Sequence, residues 1–548
     1  MSVRGDRETP APAGPPAADP AADPAAEAVA HGAACAPADP AASHPAAGRR
    51  PWWIWAAPFA VLLTVLLVRN RFLFSTRFHE QADAAANSIR IQQAMHFTLL
   101  VGNYSREGFS HPGPAYMYVQ AFGQWIFLSG LHVVPTAWNA HMLAVFVLNS
   151  AILALPVLIV YGWTRSLRAA TAWFAVVCVF GAVHPPAVNS DWMPHLYVAM
   201  YCVFAVAAAS VAAGHVQDAW MLALTGWFLV HGHACFLFIV PVIVAAAGAA
   251  LAGAHWRTPA ASLRRLARHR PGAWIPAVVI SAVFALPIVV NLALHWPGDF
   301  GHYFAYGKSG QAGGHSVTGI AWYMLWFWWP HGHAWLAPVL LQVAAIGVAL
   351  GLARGELRRF LLLLLGINVV STLAVAAYAA AGIDFLNQYY IAYFYWSAPM
   401  LALLVIAAGV SQALTARAGT ALAGAGAAAA LAAFALVPGM RTSTQDTDPG
   451  LPHAVAALAA RAPGREIVLS IQHPAWVEVT GFLVQAERTH VRACLESPYW
   501  TFMMTAQFIC TPQQAAGGVR YTFDSPSAPS SAPVLLHFGH TDVIAGPR

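Results

Sequence analysis

The chain has 548 residues, of which 59% are hydrophobic and only 9% charged, with a mean hydropathy of +0.57. A soluble chain carries roughly 25% charged residues, so this one cannot present a charged surface to water. Soluble, fibrous and wholly disordered classes are excluded in favour of a lipid-embedded protein. The net charge is +6, with Lys308 the single lysine among 28 basic residues. No basic run is interleaved with aromatics, so nucleic acid is not an expected partner.

Residues 1–50 are dominated by Ala, Pro, Asp and Gly. They lack large apolar side chains and predict a disordered tail. Arg49 and Arg50 precede the first apolar run, 51–68, which places that tail in the cytoplasm. Further apolar segments lie at about 139–163, 170–187, 195–213, 219–233, 235–254, 273–295, 334–352, 360–382, 391–411 and 419–437, predicting about eleven transmembrane helices in 51–437. The charges agree with that count. Eleven arginines fall in the loops it places inside, namely Arg165, Arg168, Arg257, Arg264, Arg265, Arg268, Arg270, Arg354, Arg358, Arg359 and Arg417, against six basic residues outside. The aromatic-rich stretches 112–131 and 318–330 are read as helices lying along the outer membrane surface, held by their rings.

Residues 438–548 are less apolar and read as helix, strand, helix, strand, with 466–472 and 491–495 the strands. This predicts a small exported α/β domain. Cys494 and Cys510 fall within it and are either a disulfide or two buried thiols. Cys178, Cys202 and Cys235 lie in predicted spans and read as packing residues, whereas Cys35 lies in the tail.

In a chain so poor in acids, polar side chains gathered at one membrane face stand out. The first outer loop, about 70–111, holds Glu80, Asp83, Arg90, Arg106, Glu107 and His111. Glu80 and Asp83 are spaced i, i+3, one helical turn, so both carboxylates are expected to face one cavity. The alternatives are acids shown to water and, for Asp83, a salt bridge to Arg90. Asp191 sits just ahead of a span, where it is either a site residue or an N-cap. A carboxylate at the outer leaflet can act as general base on a hydroxyl, while nearby cations and donors hold a phosphate leaving group. That is the chemistry of sugar transfer from a lipid phosphate. Glu80, Asp83 and Asp191 are therefore the candidate catalytic residues. Arg106, His111, Tyr104, Lys308, His233 and Tyr389, on the same predicted face, are the candidate substrate-binding residues. The pairs His231/His233 and His331/His333 lack the further ligands of a zinc site, so no metal is expected. There is no Walker A, dinucleotide-binding or GxSxG motif.

Several of these segments resemble, in order, the membrane glycosyltransferases of the C-type fold (GT-C), which include the protein O-mannosyltransferases and the lipid A aminoarabinose transferases. Phe78-His79-Glu80 stands where that family often has Phe-Asp-Glu. His111-Pro112-Gly113-Pro114 stands at the start of its second surface helix, and Gly123 to Phe127 (GQWIF) matches the end of that helix. Asp191 with Pro194 is similar to its Asp-Pro at the fourth span. The resemblance covers roughly 51–215, and the later spans by topology alone. It implies a cytoplasmic N-terminus and transfer from a polyprenyl-phosphate sugar to a cell-envelope glycan, lipid or protein acceptor at the outer face of a bacterial inner membrane. No cofactor is implied beyond the lipid-linked donor. The family's first acid is His79 here, so the resemblance passes its role to Glu80, supported by Asp83, with Arg106, His111 and Lys308 meeting the phosphate. The stretch GNYSREGFSHPGPAY is also similar to one in a poorly characterised bacterial subgroup of integral membrane proteins.

Two other readings are distinguishable. A lipid or sugar transporter would show related halves and polar mid-span helices, whereas the polar residues here gather at one surface. A non-catalytic membrane scaffold would tolerate substitution of Glu80 and Asp83.

Overall fold

The computed structural model describes residues 50–253, 271–308, 313–328, 335–524 and 533–546. The expectations for the tail up to residue 49, for Arg257 to Arg270 and for His331 and His333 lie outside the described residues.

Each of the eleven apolar segments read from the sequence contains a helix. In chain order the helices are α1 (Trp53–Arg69), α2 (Ala82–Met95), α3 (Ala115–Gly123), α4 (Ala137–Leu153), α5 (Leu155–Thr164), α6 (Leu167–Val183) and the single turn α7 (Pro186–Asn189). There follow α8 (Met193–Ala212), α9 (Ala219–Gly232), α10 (Phe236–Gly253), α11 (Pro271–His295), α12 (Gly298–Lys308), α13 (Val317–Trp326), α14 (Leu336–Gly351), α15 (Gly355–Ala381), α16 (Ser397–Ala413) and α17 (Ala416–Leu436). Seven stretches among the described residues are long and apolar enough to cross a membrane: Ala137–Thr164, Met193–Ala212, Phe236–Gly253, Gly272–His295, Gly355–Ala381, Tyr389–Ala413 and Ala416–Leu436. The remaining four, α1, α6, α9 and α14, have 17, 17, 14 and 16 residues. At 1.5 Å per residue they fall short of a hydrocarbon core of roughly 30 Å.

Burial separates the helices by role. α8 is apolar all round and almost wholly enclosed, as expected of a helix at the centre of a bundle. Its alanines, Ala205 and Ala207 to Ala209 among them, permit the close approach on which helix packing in lipid depends. α11 is the opposite case. Ile275, Val278, Val279, Val283, Leu286 and Val289 are all exposed on it, a surface that suits lipid and not water. The chain is a helical, membrane-embedded protein.

Residues 451–546 add α18 (Leu451–Arg461), α19 (Trp476–Arg488), α20 (Thr501–Met504), α21 (Pro512–Gly517) and a five-stranded sheet in the order β2-β1-β3-β5-β4. β1 (Ile467–Ile471) pairs in parallel with β2 (Ala493–Leu495) and β3 (Val519–Asp524). β5 (Thr541–Ala545) then pairs antiparallel with β3 and with β4 (Val534–Phe538). Cys494 and Cys510 form a disulfide that closes the segment between β2 and α21.

α2 joins the two parts. Ala85, Ala86 and Ile89 enter the core of the sheet domain with Phe482, Leu483 and Leu451. Ile91 and Ala94, on another side, enter the core of the membrane bundle. Just ahead of α2, the Gln81 N–H donates to the Asp446 carbonyl (2.9 Å) and the Asp448 N–H to the His79 carbonyl (2.8 Å).

Candidate functional site

A cavity of about 980 Å³ lies where α2, the 103–111 loop, α12 and the starts of α8 and α10 meet the sheet domain. Its lining is mixed. It includes the polar Asp83, Asn87, Asn103, Tyr104 and His111, the aromatic side chains Trp192, Trp476, Tyr499, Trp500 and Phe502, and the apolar Leu237, Phe238, Phe300 and Phe304. Phe238 and Phe304 are themselves exposed, so the apolar wall is continuous with the outside of the bundle.

The two leading carboxylates part company. Gln81 is extended and Ala82 has φ of +52°, a left-handed turn of backbone that non-glycine residues seldom adopt. Glu80 therefore precedes the helix, and the expected one-turn relation to Asp83 is not formed. Asp83 enters the cavity. Its Oδ2 accepts the Trp192 indole N–H at 2.8 Å, and its Oδ1 accepts the Tyr104 hydroxyl. Burial, with the Asp83 charge adding to it, raises the Tyr104 phenol above its ordinary range, so this hydroxyl stays a donor. Asp83 makes no ion pair with Arg90 among the described residues.

Glu80 points elsewhere. Its side chain is fully buried and takes both nitrogens of Arg488, on α19, at 2.6 and 3.0 Å. The Ser88 hydroxyl donates to it at 2.5 Å. Burial alone would raise the Glu80 carboxyl, but the Arg488 guanidinium and the Ser88 hydroxyl outweigh burial and hold it down to about 2. Glu80 does not line the cavity. The geometry makes it a fastening between α2 and the sheet domain.

Asp191 also lies outside the cavity lining. It accepts the Trp138 indole N–H at 2.9 Å and caps no helix, since the N-cap of α8 is Trp192 without a side-chain bond. Burial first, then the neighbouring Asp446 carboxylate, pushes Asp191 up to about 7. Asp446 is itself raised, by burial and then by Asp83.

Of the expected substrate-binding residues, Arg106, Tyr104, His111 and His233 line the cavity. Arg106 is already matched in charge, paired with Glu107 (3.0 Å) and with Asp384. His111 and His233 lie ring against ring, centroids 4.3 Å apart. Burial pulls His111 well below its ordinary range, with His233 and Arg90 adding to the effect. Nδ1 of His111 accepts the Ala234 N–H at 3.3 Å, so in the neutral ring the proton is on Nε2. Lys308 ends α12 exposed, one residue beyond the lining Gly307. Tyr389 stacks on Trp326 (4.2 Å) and Tyr323 (5.5 Å); its neighbour Tyr390 is the tyrosine that lines the cavity.

The His111-Pro112-Gly113-Pro114 run has a packing reason. Gly113 donates to the His231 carbonyl at 3.2 Å, and a β-carbon there would fall 2.4 Å from His231 Nδ1. The same Nδ1 accepts the Ala115 N–H (3.2 Å), while Nε2 meets the Phe284 carbonyl (2.8 Å). His231 thus ties the start of α3 to α11, and no three metal-ligating side chains converge as a cage among the described residues.

Sequence reasoning missed Asn87, Trp192 and the whole 499–503 wall. Asn87 follows Asp83 at i+4, a signal that was present. The aromatic cluster PYWTFMM was visible too, but nothing local ties it to α2. No protein-family model matches the chain, and no curated protein is significantly similar to it in sequence.

Proposed function

We propose that this chain is an integral membrane glycosyltransferase that moves a sugar from a polyprenyl-phosphate donor to a cell-envelope acceptor. It would act at the outer face of a bacterial inner membrane, with eleven spans and the sheet domain outside. What supports the reading is the Asp83 carboxylate, fixed by Tyr104 and Trp192 in a cavity lined by polar, aromatic and apolar side chains. An amphiphilic substrate fits such walls. The prenyl chain would lie along Leu237, Phe238 and Phe304, and the aromatic rings offer flat apolar faces to the sugar.

In the reaction, the acceptor hydroxyl oxygen attacks the anomeric carbon as the bond from that carbon to the phosphate oxygen breaks. The hydroxyl proton passes to Asp83, and polyprenyl phosphate leaves with the bonding electrons. Tyr104 and Trp192 orient the base and exclude other rotamers, the positioning on which general-base catalysis depends. On this reading Asp83 takes the role that the family resemblance passes to Glu80.

The test compares envelope glycans and lipid-linked sugars in a deletion strain carrying wild type, Asp83→Asn or Glu80→Gln. A sugar missing from the deletion, restored by wild type and not by a normally expressed Asp83→Asn protein, is the expected result. Full restoration by Asp83→Asn would overturn the assignment and favour a scaffold.

A further inference from the structure

The apolar stretch Tyr389–Ala413 is not one continuous α-helix. Its first part, Tyr389–Trp396, is an eight-residue 3-10 segment in which Ala392 leaves helical geometry (φ −120°, ψ 24°), and α16 begins only at Ser397. α16 ends near the exposed Arg417. Its 17 residues, at 1.5 Å each, cover about 25 Å, so a hydrocarbon core of roughly 30 Å encloses the break. Irregular backbone at such depth persists only where protein or water surrounds it.

Polar side chains gather at this break. Asn368, at the middle of α15, is fully buried. Its Nδ2 donates to the Ala398 carbonyl in the first turn of α16 (3.1 Å), and its Oδ1 has no partner among the described residues. The Ser397 hydroxyl, at the first position of α16, is fully buried and likewise without a partner among them. Trp396, the N-cap, makes no side-chain bond to the helix start. One turn along α15 from Asn368, the Thr372 hydroxyl bonds that of Tyr395 (2.7 Å), which closes the cluster from the 3-10 side. Asn368, Ser397 and Tyr395 do not line the cavity. Buried polar atoms are ordinarily satisfied, and here two beside one helix start are not.

Asn368 Oδ1 can only accept, so its partner must donate; the Ser397 hydroxyl can do either. Residues 360–381 and 389–413 carry no Asp, Glu, Lys, Arg or His, so these segments offer an ion no counter-charge, and a buried ion without one is strongly disfavoured. A small neutral molecule that both donates and accepts is water, and a buried water makes about three bonds to groups of this kind. We infer that the junction of the 3-10 segment and α16 is a water-binding site inside the membrane, built from Asn368 Oδ1 and Ser397 Oγ. The bound water supplies hydrogen bonds at the point where the helix is interrupted. The 3-10 segment also carries Tyr390 and Ile391 into the cavity lining, so the site is a hydrated joint behind the cavity. It does not depend on the reaction proposed there.

The experiment is radiolytic footprinting of the full-length chain in lipid nanodiscs. X-ray pulses in isotopically labelled water form hydroxyl radicals from bound as well as bulk water, and mass spectrometry reads which side chains take up the labelled oxygen. The reporters are Tyr395 and Met400, one turn from Ser397, at 0% and 1% exposure; Met142 and Trp173, both at 0%, are the buried controls, and the exposed Tyr499 reports the radical dose. The expected result is labelling of Tyr395 and Met400 well above Met142 and Trp173. In Ser397→Ala and in Asn368→Leu that labelling should fall severalfold, with Tyr499 unchanged. Reporters labelled no more than the buried controls in wild type would overturn the site. Wild-type labelling in both variants would overturn it too, since the water would then be held by other groups. Should Asn368→Leu fail to fold for want of its bond to Ala398, the near-isosteric Ser397→Ala decides alone.

Discussion

Replacing Glu80 by glutamine separates a structural carboxylate from a chemical one. The side chain is fully buried, bonds Arg488 through both oxygens and takes a third bond from Ser88. Removing one partner of a buried pair costs about 3–5 kcal/mol, and Arg488 is one-fifth exposed, so water will soften its isolation. A carboxyl held at about 2 instead of 4.5 corresponds independently to roughly 3 kcal/mol. We expect Glu80→Gln to lose about 3 kcal/mol of attachment between α2 and the sheet domain. The readout is hydrogen exchange at the amides of Gln81 and Asp448, which join the stretch ahead of α2 to the stretch leading into α18; they should exchange roughly a hundredfold faster. The double variant Glu80→Gln/Arg488→Met should recover much of the loss, since no buried charge is left alone. The sign with pH follows from a depressed folded value. The contribution is full above about 4.5, the unfolded value, and is lost as pH falls towards 2. Native exchange and native melting in Glu80→Gln, together with lost sugar transfer, would refute this reasoning and return Glu80 to a chemical role.

Asp191 carries the opposite sign. Its carboxyl, raised to about 7, binds its proton more tightly folded than unfolded, so the native state loses stability as pH climbs from about 4 to about 7. That rise corresponds to roughly 4 kcal/mol, reduced to about 2 by solvent reaching the half-buried side chain. Asp191→Asn should therefore melt higher than wild type at pH 8 and equally at pH 4; equal or lower melting at pH 8 would show that the fold does not disfavour the carboxylate. The Cys494–Cys510 bridge closes a segment with a sequence separation of 16, worth about 3 kcal/mol by loop closure. Cys494→Ser/Cys510→Ser should speed amide exchange across 499–503, the aromatic wall of the cavity, and unchanged protection there would refute a bracing role.

The membrane helices were legible because their signal is local. A run such as 360–382 must be helical in lipid whatever its neighbours do. The order of the sheet was not legible. β3 is held by β1 and β5, both distant along the chain, the β4–β5 hairpin joins the sheet only through β3, and short strands of mixed polarity carry little period of their own. At the site, the stretch 80–83 fits a helical turn in sequence, yet the helix starts at the left-handed Ala82, too late for Glu80 to share it with Asp83. Arg488 is what holds Glu80 there, and it lies 408 residues away. Asn87 was readable from spacing alone. Trp192 was not, because the indole that bonds Asp83 is fixed by the packing of α8.

The sequence of α2 makes sense only when all its sides are considered together. A surface helix needs one apolar stripe. Here small residues, Ala85 and Ala86, let the sheet domain approach closely, while Ile91 and Ala94 meet the bundle. Both flanks are thus immobilised, and the Glu80–Arg488 pair fixes the entry to the helix. A helix held in this way can carry a stripe that would be destabilising anywhere else: a carboxylate, a carboxamide with an unpartnered oxygen and a buried guanidinium that makes no ion pair among the described residues, in successive turns. The unfavourable energy of that stripe is offset by packing on the other two sides. It follows that stabilising α2 and keeping its polar stripe are opposed demands.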